Sequence, residues 1–388
     1  MRALCWEGVN DLRVESVADP IIINKKDAIL KVTMSSVCGS DEHIIAGYIP
    51  TMKAGDIIGH EFMGEIVETG PEVKKLKKGD RVVVSPVISC GNCWFCQHEM
   101  HSMCDNSNDK PEIAEPVYGQ APGAIFGYTH SLGGYAGCHA QYIRVPFADT
   151  GCFVVPEGVP DDQAIFCSEA GPTGYMGAEF CDIKPGDIIA VWGCGGVGLM
   201  AQKTAFMLGA ERVIGIDRIP ERLKMAREHV GSETINYAEQ DVLETLKEMT
   251  GGRGPDACIE AVGMESHGYS VDYALDRMKQ TVRLSRDSAH SLREAIYACR
   301  KGGKVSVLGV FFMMDKFPMG AVVNKALTIR SSQVFGPKYV PRLLDHAARG
   351  EFDPSFMITH KFSLEDAPKG YELWRMKEDG CVRSVFTP

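Results

Sequence analysis

The sequence predicts an α/β protein in two parts, a β-rich portion followed by a doubly wound parallel sheet. Three observations carry this. Glycine-punctuated apolar runs dominate before residue 160, strands alternate with amphipathic helices from about residue 173, and 388 residues exceed what one ordinary core accommodates. The implied segments are 1–170, 171–333 and 334–388.

In the first part, DAILKVTMSSV (27–37), GDIIGHEFMGEIVETG (55–70), GDRVVVSPVI (79–88) and QYIRVP (141–146) are β-branched runs bounded by turn residues, and few segments hold a helical period. In the second, GDIIAVWG (186–193), ERVIGID (211–217), ETIN (233–236), DACIEAVG (256–263), KVSVLGV (304–310) and ALTIRSS (326–332) read as strands. Helical spacing occupies 198–210, 218–231, 241–251 and 291–303 between them, the grammar of a parallel sheet covered on both faces. The polar stretch 265–291 reads as an insertion, and CVRSVF (381–386) as a terminal strand.

Forty-one basic residues face fifty-one acidic ones, a net charge of −10, which argues against nucleic-acid or membrane-surface partners. The N-terminus lacks an apolar signal-peptide core and no apolar run spans a bilayer, so a soluble, cytoplasmic protein is expected. In that setting most of the fourteen cysteines should be reduced and buried, as for Cys5, Cys138, Cys152, Cys181, Cys258, Cys299 and Cys381.

Gly193-Cys194-Gly195-Gly196-Val197-Gly198 is a G-x-G-x-x-G that follows a strand and opens a helix. Such glycines permit a tight turn and backbone approach to a pyrophosphate, which the helix N-terminus favours. Asp217, at the end of the next strand, is suited to a ribose diol and repels a 2′-phosphate, so NAD is expected; Arg218 and Arg222 leave room for NADP. The sheet is therefore a Rossmann domain.

Cys90, Cys93, Cys96 and Cys104 follow C-x2-C-x2-C-x7-C. Four soft thiolates close a tetrahedral zinc shell, which points to a structural ion pinning a loop. His98 and His101 are spare donors; a redox dithiol and a nucleic-acid-binding zinc ribbon are the competing readings. Cys38 in CGSDEH (38–43) and His60 in GHE (59–61) form a second half-site, on adjacent β-turns, for a zinc with an open position.

With CGSDEH, GHE, the 90/93/96/104 cysteines, PTGY (172–175) and the glycine fingerprint in this order, the chain resembles the zinc-dependent medium-chain alcohol dehydrogenases over nearly its whole length, within them most the formaldehyde dehydrogenase branch. The resemblance implies a GroES-like catalytic domain at 1–170, rejoined by 334–388, one catalytic and one structural zinc per chain, and a homo-oligomer, dimer or tetramer. It places the third catalytic ligand at Glu169, where the branch has aspartate and the wider family cysteine; Cys167 is the rival. It makes Glu61 a transient or outer contact of the metal, Asp41 the partner of the His60 ring, and Ser40 and His43 a proton relay to solvent. Thr173 would lie near the nicotinamide and Arg383 would reach the pyrophosphate.

The implied reaction interconverts a small alcohol or aldehyde hydrate and its carbonyl product by hydride exchange with NAD. Residues 94–95, 118–128 and 311–317 are candidates to line the substrate site. The alternatives are a polyol, sugar or thiol-adduct dehydrogenase, a formaldehyde dismutase that retains its cofactor, and a non-catalytic NAD- and zinc-binding protein.

Overall fold

A computed structural model describes residues 1–264, 266, 288–312, 314 and 316–388. The expected insertion at 265–291 lies largely outside the described residues, as do positions 313 and 315 of the 311–317 stretch. The chain divides into two compact units, Met1–Pro172 with Val334–Pro388, and Thr173–Gln333.

The first unit is built on antiparallel sheet. Ala28–Ser36 pairs with Glu61–Thr69, which pairs with Arg81–Val84, which pairs with Cys152–Val154; Tyr142–Val145 also pairs with Ala28–Ser36. Arg383–Thr387 joins the other end of Ala28–Ser36, so the C-terminal strand completes a seven-stranded sheet begun near the N-terminus. The buried face packs Leu30, Val32, Phe62, Ile66, Val82, Val84, Phe126 and Ile143 together. Alternation of apolar and polar residues along these strands gives this face, as period-two geometry requires. Two short helices, Gly39–Ile45 and Pro111–Tyr118, fall where the sequence suggested only turns and strands. The first is seven residues long, too short for periodicity to register, and is marked only by its cap.

The second unit is a six-stranded sheet in which every pairing is parallel. In space its strands run Glu233–Asn236, Arg212–Asp217, Ile188–Trp192, Ala257–Glu260, Lys304–Val307, Thr328–Ser331. The order reverses beside Ile188–Trp192, the position at which doubly wound sheets bind ligands beyond their strand ends. Near-continuous apolar strands are buried on both faces, against Leu292, Ala295 and Ile296 on one side and Ala201 and Ala205 on the other. Among the described residues no helix is long and apolar enough to cross a membrane.

Candidate functional site

The loop Cys90–Cys104 gathers its four sulfurs within 4.8 Å of one another, and among the described residues it is the one set of three or more such donors drawn that close. Backbone amides organise it. Cys90 Sγ accepts from the N–H groups of Asn92 (3.5 Å) and Cys93 (3.3 Å), and Cys104 Sγ from those of Cys90 (3.3 Å) and Asn106 (3.4 Å). A hydrogen bond from Cys96, with these amides, holds the Cys104 thiol well below the usual thiol range, and the Cys96 thiol rises correspondingly. A pre-formed cage of four sulfurs of this kind fits zinc. The spare histidines stand outside it. His98 Nδ1 bonds the carbonyl of Trp94 at 2.7 Å, its ring stacked on that exposed indole, and His101 is buried without joining the sulfur set.

The second set is assembled from distant segments. Cys38 is the N-cap of helix Gly39–Ile45, and Asp41, at its third position, accepts from the Cys38 N–H at 2.9 Å, half of a capping box. His60 immediately precedes strand Glu61–Thr69. The two expected β-turns are thus a helix cap and a strand start. Glu169 directly precedes helix Ala170–Phe180, and its Oε2 lies 3.6 Å from Cys38 Sγ. Ser40 Oγ sits between donors, 3.4 Å from Cys38 Sγ and 3.2 Å from His60 Nε2. On the other side of the ring, His60 Nδ1 faces Asp41 Oδ1 at 3.4 Å, and neither atom has a hydrogen-bond partner.

This donor set fits a cation. A thiol, an imidazole nitrogen and a carboxylate converge in a buried place, where burial first and then the charge of Glu169 push the Cys38 thiol well up. A bound divalent ion would reverse that balance. Cys167 does not compete in this geometry, because its Sγ points to the Gln163 carbonyl at 3.8 Å.

Glu61 and Arg383 form a buried ion pair at 2.9 Å, each less than a twentieth exposed. Glu61 Oε1 also accepts from the N–H of Ala170 at 3.1 Å, tying this pair to the residue next to Glu169. Burial lifts the Glu61 carboxyl to about 7, with Arg383 opposing. Arg383, expected at a pyrophosphate, is thus placed against Glu61. The aid to reading this from sequence was slight: a lone arginine in a terminal strand does not disclose a carboxylate 322 positions away. His43 departs from expectation as well. It is buried, its Nδ1 has no partner, burial lowers its pKa to about 4, and no hydrogen bond joins it to Ser40 among the described residues.

In the second unit, Gly193 has φ +93° and ends strand Ile188–Trp192, while a Cβ on Gly198 would stand 1.9 Å from the Gly193 carbonyl oxygen. Gly195 caps helix Gly196–Met207, and a Cβ there would meet only Arg222 Nη1, at 3.6 Å. Two glycines thus make the turn and the third leaves room above it. Val197 lies in the first turn of that helix, Arg218 follows Asp217 at the neighbouring strand's end, and Arg222 Nε is buried with no partner. Asp217 already has work: Oδ2 accepts from Cys194 N–H (2.8 Å) and Oδ1 from Arg218 (2.7 Å) and Ile219 (3.0 Å). It clamps the glycine turn, a role that sequence spacing alone does not reveal. Thr173, the first residue of this unit, is buried in helix Ala170–Phe180.

Comparison with known proteins matches residues 24–157 to the alcohol dehydrogenase GroES-like domain and residues 196–284 to the zinc-binding dehydrogenase domain. A zinc-type alcohol dehydrogenase-like protein of Schizosaccharomyces pombe is 38% identical, covering 99% of this chain and 90% of that one. A glutathione-independent formaldehyde dehydrogenase of Bacillus subtilis is 30% identical over 95% of this chain and 93% of its own. The solved structure of alcohol dehydrogenase TADH from Thermus sp. ATN1 superposes with a TM-score of 0.84 at 31% identity, covering 100% of this chain and 99% of that one.

Proposed function

Since the chain belongs to the zinc-type alcohol dehydrogenase family, we propose that it is an NAD-dependent oxidoreductase that interconverts a small alcohol or aldehyde hydrate and its carbonyl product. The observation that carries this reading is that Ser40 Oγ bridges Cys38 Sγ and His60 Nε2, while Glu169 Oε2 lies 3.6 Å from the same Cys38 Sγ. Cys38, His60 and Glu169 would hold the catalytic zinc, and Cys90, Cys93, Cys96 and Cys104 the structural one. When bound, the catalytic ion supplies Lewis acidity to the substrate oxygen, and the nicotinamide supplies or takes the hydride.

The chain's own groups do the rest. Ser40 Oγ, 3.2 Å from His60 Nε2 and 3.4 Å from Cys38 Sγ, is placed to accept a hydrogen bond from a substrate hydroxyl held beside those donors. Asp41 Oδ1, which faces His60 Nδ1 at 3.4 Å, would favour the proton on that nitrogen and leave Nε2 as the donor atom. Glu61, anchored by Arg383, fixes the start of the helix that follows Glu169. Tyr128 sets its ring edge-on to His60, with centroids 6.1 Å apart. Gly193, Gly195, Gly196, Val197 and Gly198 would receive the pyrophosphate, and Asp217 the ribose. A second reading, acceptance of NADP, is favoured by the Arg222 guanidinium beside Gly195.

The test is cofactor reduction by zinc-loaded protein given NAD or NADP, with formaldehyde without glutathione in one arm and a primary alcohol in the other. Reduced NAD from formaldehyde supports the hydrate as substrate. Reduction from the alcohol alone makes this an alcohol dehydrogenase with formaldehyde-branch ligands, and no reduction with either substrate removes the reading in this form.

A further inference from the structure

The outer partners of Asp41 form a buried chain that neither the glycine turn nor the ligand set requires. Asp41 Oδ2, besides the Cys38 N–H, accepts from the Tyr371 hydroxyl at 2.6 Å. That hydroxyl lies 2.8 Å from His139 Nε2, and His139 Nδ1 lies 2.8 Å from Ser35 Oγ. All four side chains are essentially inaccessible, Asp41, His139 and Ser35 at 0% and Tyr371 at 1%. They come from four separate places in the first unit: the end of strand Ala28–Ser36, helix Gly39–Ile45, the segment before strand Tyr142–Val145, and helix Ala367–Met376.

The chemistry gives the chain one direction. A carboxylate only accepts, so the tyrosine proton points to Asp41. The Tyr371 oxygen then accepts from His139 Nε2–H, and His139 Nδ1, left without a proton, accepts from the Ser35 hydroxyl. Every donor meets an acceptor, as a buried polar network must to be tolerated. With Oδ2 occupied by two donors, Oδ1 is left for His60 Nδ1. The packing makes room for this arrangement. Gly59, beside His60, has φ +95°, and a Cβ on it would stand 2.4 Å from His139 Cδ2. Phe386 stacks on Tyr371 and meets His139 edge-on, which fixes both rings.

We propose that Tyr371, His139 and Ser35 are positioning residues for the zinc ligand His60, acting through Asp41: they lock the Asp41 carboxylate so that His60 presents Nε2 to the metal. This rests on the reading of Cys38, His60 and Glu169 as a zinc site.

The experiment measures zinc per chain and zinc affinity of the full-length protein by titration against a chelator, for wild type, Tyr371→Phe and Cys38→Ser. Cys38→Ser identifies which zinc belongs to the His60 site, and the four-cysteine zinc is the internal reference. Tyr371→Phe is expected to weaken the His60-site zinc by about 10- to 100-fold and leave the reference unchanged. Excess zinc should restore its turnover, which a purely structural loss would not allow. If Tyr371→Phe retains wild-type affinity at that site, the positioning role is overturned and the ligand reading stands. If wild type and Cys38→Ser hold the same zinc, the ligand reading falls and the positioning role with it. Ser35→Ala removes only the outermost donor and serves if Tyr371→Phe does not fold; a selective weakening of about threefold supports the chain, and an unchanged site overturns it.

Discussion

In the loop Cys90–Cys104 the sulfurs are drawn together by amides of the same short segment, Cys90–Asn106, whereas Cys38, His60 and Glu169 meet only because a helix cap, a strand start and the residue before another helix are packed into one place. Their electrostatics differ accordingly. In the loop the hydrogen bond from Cys96, helped by backbone N–H groups, holds the Cys104 thiol low; burial dominates at the other set, so Cys38 is driven up. The first region favours charge on Cys104, and the second disfavours it on Cys38. A closed local shell suits an ion that stays, and a three-donor buried shell suits one whose remaining position takes substrate.

The comparison breaks most readily at the ligands. Cys38→Ser or His60→Ala should reduce hydride transfer to background while leaving circular dichroism and NAD binding as in wild type. Cys93→Ala should do the reverse, lowering Tm and assembly more than the kcat of the protein that remains folded. Turnover by Cys38→Ser depleted of its second zinc, measured by nicotinamide absorbance, would dismiss the catalytic assignment.

These two regions also differ in how legible they were. The loop could be read from spacing because all its ligands and most of its N–H donors lie between Cys90 and Asn106. The parallel sheet was legible for a similar reason, since apolar strands and helical spacing are local signals, and the order Ile188–Trp192, glycine turn, helix appears as the pattern demanded. Glu61 with Arg383, and Asp41 with Tyr371, are partnerships across more than three hundred residues and have no local signature. The buried His43 and the clamp made by Asp217 were hidden for another reason: residue type tells what a group can do, and only its surroundings tell which of those things it does.

The next effect concerns the long-range frame of the second region. Removing one partner of a buried ion pair leaves an uncompensated charge, which costs about 3–5 kcal/mol. Arg383→Met should therefore lower unfolding free energy by about that amount in denaturant titration and push the Glu61 carboxyl further up. Glu61→Gln with Arg383→Met should recover much of the loss. A double variant no better than the single one would show that packing, and not charge, is what the pair supplies.

Acid should separate the two ions. Zinc binding requires deprotonated thiols, so protons compete most effectively where the thiol pKa is raised. In the loop the Cys96–Cys104 hydrogen bond lowers one thiol as it raises the other and backbone N–H groups donate to the sulfurs, whereas burial raises Cys38 with no such offset, so lowering the pH should release the zinc of the His60 site first and the four-cysteine zinc later. A metal-sensitive dye followed through an acid titration should report two steps, with the earlier one missing in Cys38→Ser. Simultaneous release would remove the electrostatic distinction between the regions.

The smallest expected effects test the donors left outside each set. His98 is exposed and bonds to a backbone carbonyl, so His98→Ala should change stability by no more than about 0.5 kcal/mol and leave zinc at its wild-type value. Cys167 is fully buried with its Sγ toward the Gln163 carbonyl, so Cys167→Ala should cost about 1 kcal/mol of packing and still retain both ions and turnover. Glu169→Gln is the matched variant: it keeps shape and burial but withdraws the anionic oxygen 3.6 Å from Cys38 Sγ, and should weaken the His60-site zinc selectively. The pair decides between the two candidate ligands. Loss of zinc in Cys167→Ala with retention in Glu169→Gln would reverse the assignment.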